Sequence, residues 1–357
     1  MKKLTFATLS CFGFMIFFLS GLLNIDHQYI ALGQNETSSN STITIPTTIA
    51  KETQNALINI TTQTPEFVTP GPNDLKGWNE MNKQYSSMFS EQSQSLVESF
   101  KPNITSTKLG NVPVLDIKPK NWMDNGKILI YVHGGGYTIL GANSTLNNSV
   151  PMANATGLRV ISIDYSLAPS SKWNEITSEV VSVIKALEDN GTSTDNIAMH
   201  GDSAGGGLVA SSVLKMRDEG IGVPAAIALW SPWADVSGAG DTYSTLKKAD
   251  PFISEAMVRN MGGAYANISD QKNPYASPVY GNFSKGFSPT LIQVGTKEIL
   301  LSDSVRLYQA LDQANIPVKL DVYEGMPHVF QTTLYNTPES SLAISKTVEF
   351  LKKYLNY

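Results

Sequence analysis

Cysteine is nearly absent. The 357-residue chain has one, Cys11, inside an apolar N-terminal run. No disulfide and no thiolate metal site is therefore expected in the folded part. Histidine is scarce as well: His27, His133, His200 and His328 are scattered. No H-E-x-x-H occurs, which argues against a zinc hydrolase. No metal or other cofactor is expected. No basic run follows the first three residues, and the formal net charge is -5. That argues against a nucleic-acid partner. Internal repeats are lacking too. Apolar residues are not scarce: at 41% they suffice for a real core, in one large domain or two small ones.

The first residues, Met1-Lys-Lys, are positive, and Leu4 to Leu23 is uncharged and mostly apolar. Residues 1–33 have the layout of a secretory signal, with Ala31-Leu-Gly33 as a small-residue cleavage site. The apolar run is also about long enough to span a bilayer, so an uncleaved membrane anchor through residues 4–23 is the rival reading. Residues 34–72 are rich in Asn, Ser, Thr and Pro and read as a disordered polar linker. N-x-[ST] triplets at Asn35, Asn40 and Asn59, with seven more downstream, are glycosylation acceptors if the chain is exported. The expectation is an extracellular or cell-surface protein.

From about residue 103 short apolar strands alternate with helices. Strands are predicted at 104–109, 112–118, 127–133, 158–163, 195–200, 225–231, 289–295 and 317–323. Helices are predicted near 143–156, 173–189, 204–219, 302–314 and 339–355. This alternation argues a mostly parallel, doubly wound α/β sheet flanked by helices. Residues 73–100 carry Trp78, Met81, Tyr85, Phe89, Leu96 and Phe100 at helical spacing. A helical segment at 241–266 interrupts the alternation.

One stretch carries chemistry. Gly201-Asp-Ser-Ala-Gly205 is a G-x-S-x-G, placed between the strand-like Ile197–Met199 and the helix-like Leu208–Met216. Strand, tight turn and helix are the context that makes Ser203 a nucleophile candidate. The free N–H groups of the following helix N-terminus favour a developing oxyanion. Upstream, Ile128–Val132 runs into His133-Gly-Gly-Gly-Tyr137. Consecutive glycines leave backbone N–H groups unshielded, so two can point at one oxygen.

A serine nucleophile needs a base, and the base an orienting acid. His328 is the only histidine after Ser203. Two carboxylates, Glu298 and Asp303, follow the strand that begins at Thr290. Glu298 sits in the turn right after it. Asp303 has another explanation, capping the next helix and answering its dipole.

These motifs, with Asp164-Tyr-Ser-Leu-Ala-Pro169, Ser277-Pro278, Val294–Leu301 and Gly325-Met-Pro-His-Val-Phe330, resemble the hormone-sensitive-lipase family of α/β-hydrolases. The resemblance runs from about residue 100 to the C-terminus. It implies an α/β-hydrolase fold with a small helical cap, drawn from about 73–100 and 241–266 of a hydrolase domain spanning 73–357. It implies a serine carboxylic ester hydrolase that acts on small or medium acyl esters through an acyl-enzyme. Ser203, Glu298 and His328 would be the triad, although the family more often has Asp where Glu298 stands. Gly135, Gly136 and Ala204 would be the oxyanion donors, with Gly134 adjacent, and His133 would shape the loop. Tyr137 and Phe330 are candidates to line a substrate pocket, as are Trp230 and Trp233, which serve equally as core aromatics. His200 reads as structural and Asp202 as a hydrogen-bonding support. A lactone or amide hydrolase would use the same residues. A non-catalytic ligand-binding protein of this fold would usually lack a triad member, and here all three are present.

Overall fold

Period-two and fully apolar stretches build an eight-stranded sheet, described by a computed structural model for residues 44–63 and 68–357. The leader (1–33), its span at 4–23 and part of the linker lie outside these residues. The strands are β1 Asn103–Leu109, β2 Val112–Lys118, β3 Ile128–Val132, β4 Arg159–Ile163, β5 Ile197–Asp202, β6 Ala226–Trp230, β7 Thr290–Gly295 and β8 Val318–Tyr323. The helices are α1 Lys51–Gln63, α2 Leu75–Phe100, α3 Leu146–Thr156, α4 Trp173–Asp189, α5 Ala204–Asp218, α6 Thr242–Thr245, α7 Glu255–Tyr265, α8 Leu301–Gln313, α9 Phe330–Thr333 and α10 Pro338–Leu355. The sheet order is β1-β2-β4-β3-β5-β6-β7-β8. β1 and β2 are antiparallel to their neighbours, and β4 through β8 run parallel.

Parallel strands covered on both faces must be apolar throughout, and β3 and β6 are buried at every residue. α4 shows how a helix covers them. Ile176, Val180, Val183, Ile184 and Leu187 recur three and four apart and are buried. At its start the Glu175 side chain reaches back, Oε2 accepting from the Lys172 backbone N–H at 3.2 Å. Because β5, β6, β7 and β8 run the same way, Asp202, Trp230, Gln293 and Asp321 fall in one register row. The loops beyond that row share one edge, where ligands bind in open α/β sheets.

Two segments depart from the alternating frame. α2 packs beside α3, and its Asn82 Oδ1 accepts from the Leu140 N–H at 2.7 Å. α7 places Met261 against Gly136. The disordered reading of residues 34–72 is corrected where they are described. Residues 51–63 are helical, with Thr53 and Leu57 buried. A few apolar residues at helical spacing find a partner surface, which composition alone does not reveal. Among the described residues no helix is long and apolar enough to cross a membrane.

Candidate active site

β5 ends at Asp202 and α5 begins at Ala204, so Ser203 alone makes the turn. Its backbone has φ 54° and ψ -125°, a conformation that costs an L-residue free energy and persists only where its surroundings impose it. Those surroundings are hydrogen bonds from Ser203 N to Trp230 O (2.9 Å) and from Trp233 N to Ser203 O (2.9 Å). Gly205 lets α5 start this close to the sheet, since a Cβ there would collide with the Val132 and His133 carbonyls. Ser203 itself stays partly exposed.

The His133–Tyr137 loop lies beside it. His133 is fully buried, stacks on Tyr165 with ring centroids 4.0 Å apart, and bonds the Gly134 carbonyl through Nδ1 at 2.7 Å. Burial depresses its pKa to about 4, so the ring is neutral packing. Gly136 and Tyr137 have φ of 60° and 63°. Burial raises the Asp202 pKa, and the Tyr131 hydroxyl bond and the neighbouring Gly134 backbone oppose that rise. Among the described residues, the N–H groups of Gly135, Gly136 and Ala204 have no protein acceptor. They are the donors that the family resemblance implies for the oxyanion.

Glu298 and His328 come together from loops 30 positions apart: His328 Nδ1 to Glu298 Oε2 is 2.8 Å. The other carboxylate oxygen accepts from Ser231 Oγ at 2.8 Å and from Gly295 N at 2.6 Å. The carboxylate is fully buried and satisfied on both oxygens. Burial alone would lower the His328 pKa. The Glu298 bond, with the charges of Glu298, Asp250 and Asp202, outweighs it and holds the pKa above the ordinary value. His328 thus acts electrostatically on Asp202, the residue before Ser203. In this resting geometry Ser203 Oγ makes no hydrogen bond to His328. Such bonds tighten when substrate binds.

Asp303 is elsewhere. Leu300 is the N-cap residue of α8, and Asp303 does not cap it. Its Oδ2 accepts from the N–H groups of Ala234 (3.0 Å) and Asp235 (2.8 Å) and from Tyr243 OH (3.2 Å). The capping reading is therefore corrected: the side chain turns inward to hold the turn after β6.

The pocket residues are also corrected. Tyr137 is fully buried and stacks on Tyr265 at 3.7 Å. Phe330 is fully buried against Tyr323 at 4.7 Å. Both rings turn into the core, Tyr137 from the glycine loop and Phe330 from the first residue of α9. Trp230 and Trp233 are core residues as well, with indole N–H groups bonded to Thr347 Oγ1 and the Asp235 carbonyl. His200 is structural: Nδ1 meets the Ala228 carbonyl at 3.0 Å and Nε2 meets Asn148 Oδ1 at 3.1 Å. Asn148 Nδ2 and Tyr131 OH in turn donate to Asp202 Oδ1.

Two residues escaped the sequence reading. Ser231 (φ 47°) supports Glu298, and Val329 (φ 49°) sits in the left-handed region directly after His328. With Ser203 and Tyr137, strained non-glycine residues gather at this edge, as they do at functional sites. Among the described residues no His, Cys, Asp and Glu group is arranged to hold a metal.

A family model described as alpha/beta hydrolase fold matches residues 129–332. An acetyl-hydrolase of Streptomyces hygroscopicus is 32% identical over 228 residues, 64% of this chain and 76% of that protein. An esterase of Acinetobacter venetianus is 29% identical over 225 residues, 63% of this chain and 74% of that one. A solved esterase of the bacterial hormone-sensitive lipase family superposes with TM-score 0.74 at 29% identity, covering 86% of this chain and 99% of its own. A hormone-sensitive lipase from a metagenome library gives TM-score 0.75 at 27% identity, over 86% and 99%. With the elbow, the glycine loop and the Glu298–His328 pair at one sheet edge, the chain belongs to the α/β-hydrolases, among the hormone-sensitive-lipase family of serine esterases.

Proposed function

We propose that Ser203, His328 and Glu298 carry the carboxylic ester hydrolysis of this chain. The observation that carries the reading is the 2.8 Å Glu298–His328 bond at the same sheet edge as the strained Ser203. With Nδ1 held by Glu298, Nε2 is the nitrogen left to take the Ser203 proton. Oγ then attacks the ester carbonyl carbon. The oxyanion lies among the N–H groups of Gly135, Gly136 and Ala204, each typically worth about 3 kcal/mol of barrier. The tetrahedral intermediate expels the alcohol, which leaves with the proton from His328. Water, deprotonated by His328, attacks the acyl-enzyme and releases the acid. Glu298 stabilises the imidazolium in both steps.

The substrate is a small or medium acyl ester, a reading supported by the acetyl-hydrolase among its relatives. The cap is the pair α2 and α7, supported by Met261 against Gly136 of the glycine loop and by Asn82 bonding the Leu140 N–H just beyond it. Ser203→Ala should lower kcat about a million-fold with unchanged thermal unfolding. A series of p-nitrophenyl esters of rising acyl length places the pocket. Substantial hydrolysis by folded Ser203→Ala would overturn the assignment.

Export is proposed as well, resting on Lys2, Lys3 and the apolar residues 4–23. The native protein should fractionate outside the cytoplasm, either shortened and soluble or intact and membrane-bound. Mass spectrometry of its N-terminus separates these two, and intact soluble chain in the cytoplasm refutes both.

A further inference from the structure

We propose that residues 45–60 form a strap that positions the His328 loop, an inference that rests on the triad proposed above. The strap precedes the hydrolase pattern and carries no chemical motif. Yet it is fastened along the segment from Tyr323 to Glu339. The Thr53 hydroxyl, fully buried, donates to Glu339 Oε2, and Ala50 N donates to Glu339 Oε1 at 2.8 Å. Thr48 Oγ1 donates to Glu324 Oε2 at 2.7 Å on the exposed rim. Leu57 is buried in a cluster with Tyr323, Met326, Phe330, Leu334 and Ala343, and Ile45 and Ile49 pack against it. Gly325, at φ 73°, faces the strap, where a Cβ would lie 2.7 Å from the Pro46 ring.

The opposite side of the same loop is bonded to the acid turn. Thr296 N donates to Tyr323 O at 3.0 Å, Gly325 N to Thr296 Oγ1 at 2.8 Å, and Lys297 N to Met326 O at 3.0 Å. Met326, two residues before His328, is fully buried within this double fastening. The acid turn and the histidine loop therefore form one hydrogen-bonded unit, and the strap is its outer wall. Without that wall, Leu57's partners would meet water, and the loop would gain room to shift. A displacement of about 1 Å at a reacting group can cost on the order of a hundredfold in rate. The charged groups facing His328 are Glu298, Asp250 and Asp202. The strap adds none, so it acts on the imidazole through the geometry of the Glu298 bond.

The test uses full-length protein carrying Leu57→Ala or Thr53→Val, with Leu57→Met and Thr53→Ser as conservative partners. Leu57→Ala and Thr53→Val should lower kcat about ten- to a hundredfold. KM should stay within about twofold, since ground-state binding is untouched. The acid limb of the kcat/KM profile should move to lower pH as the Glu298 bond loosens, and the conservative partners should restore both. If only the melting temperature falls, with kcat and the acid limb unchanged, the strap is packing and the inference fails. Thr53→Val removes a single hydroxyl and carries the test should Leu57→Ala not fold. Ser203→Ala is measured alongside. Activity there sinks the triad, whereas an inactive Ser203→Ala beside fully active strap variants sinks the strap alone.

Discussion

Ser231 Oγ joins the two halves of the base–acid pair: it donates to Glu298 Oε1 at 2.8 Å and accepts from Val329 N at 3.0 Å. One hydroxyl thus aligns the carboxylate and pins the backbone next to His328. Gly295 N also holds Glu298, and the Glu298–His328 bond grips the residue just before Val329. The residue accepts φ 47° to make both bonds.

Ser231→Ala should therefore leave the Val329 N–H buried without a partner, costing about 1–3 kcal/mol of stability. It should also lower kcat by roughly tenfold, through Glu298 orientation. Ser231→Gly loses the same hydroxyl but relieves the left-handed backbone, so it should match the rate loss with a smaller drop in melting temperature. Wild-type kcat in both variants would show that Glu298 does not need this bond.

The pH dependence has two parts of opposite sign. Catalysis needs neutral His328, whose folded pKa stands above the usual value of about 6.5. kcat/KM should fall as pH drops through a point above about 6.5. For stability, a raised histidine pKa contributes in full below about 6.5 and is lost as pH rises through the folded value. Buried His133 and His200 act the other way. Burial depresses both to about 4, so their contribution is full above about 6.5 and fades as pH falls through about 4. Rate profiles and thermal melts across pH 4 to 9 check this, using roughly the range in which histidines titrate. An acid limb below about 6 would contradict the Glu298–His328 coupling.

Much of this was legible where function demands contiguous residues. The elbow needs small residues on both sides of Ser203, and the glycine loop needs bare backbone, so both appear as runs. All eight strands fall within two residues of their predicted limits at every end, and the central parallel ones stood out because buried parallel strands are short and apolar. His328 followed from being the only histidine after Ser203. Ser231 was not legible. It is an ordinary serine, and its partner Glu298 lies 67 positions away. The strap was hidden for a related reason. Leu57 looks like a stray apolar residue in a polar segment until Met326 and Phe330 are folded against it. Tyr137 and Phe330 misled because a motif fixes a side chain's position along the chain but not the direction it turns.

Glu298 and Asp303 lie five positions apart and now have distinct tasks, which two isosteric substitutions separate. Glu298→Gln keeps the volume. Ser231 Oγ and Gly295 N both donate to the Oε1 position, so the amide oxygen settles there. The NH2 group is then left facing His328 Nδ1. A donor at that place favours the imidazole tautomer protonated on Nε2, which cannot accept the Ser203 proton. Loss of a triad acid by the equivalent amide change costs about 10⁴ in kcat in serine proteases, and a loss approaching that size is expected. The acid limb should move down in pH too, since the carboxylate that raised the His328 pKa is gone. Asp303→Asn meets a different environment. Burial, with the nearby charge of Asp235, holds the Asp303 carboxyl well above the usual range and so favours its neutral form. A neutral amide can place its oxygen where Oδ2 accepts from Ala234, Asp235 and Tyr243. The variant should lose at most about 1–3 kcal/mol of stability and keep its rate. Measuring kcat and thermal unfolding for both variants on one activated ester decides the matter. A crippled Asp303→Asn beside a normal Glu298→Gln would mean that the acid had been assigned to the wrong carboxylate.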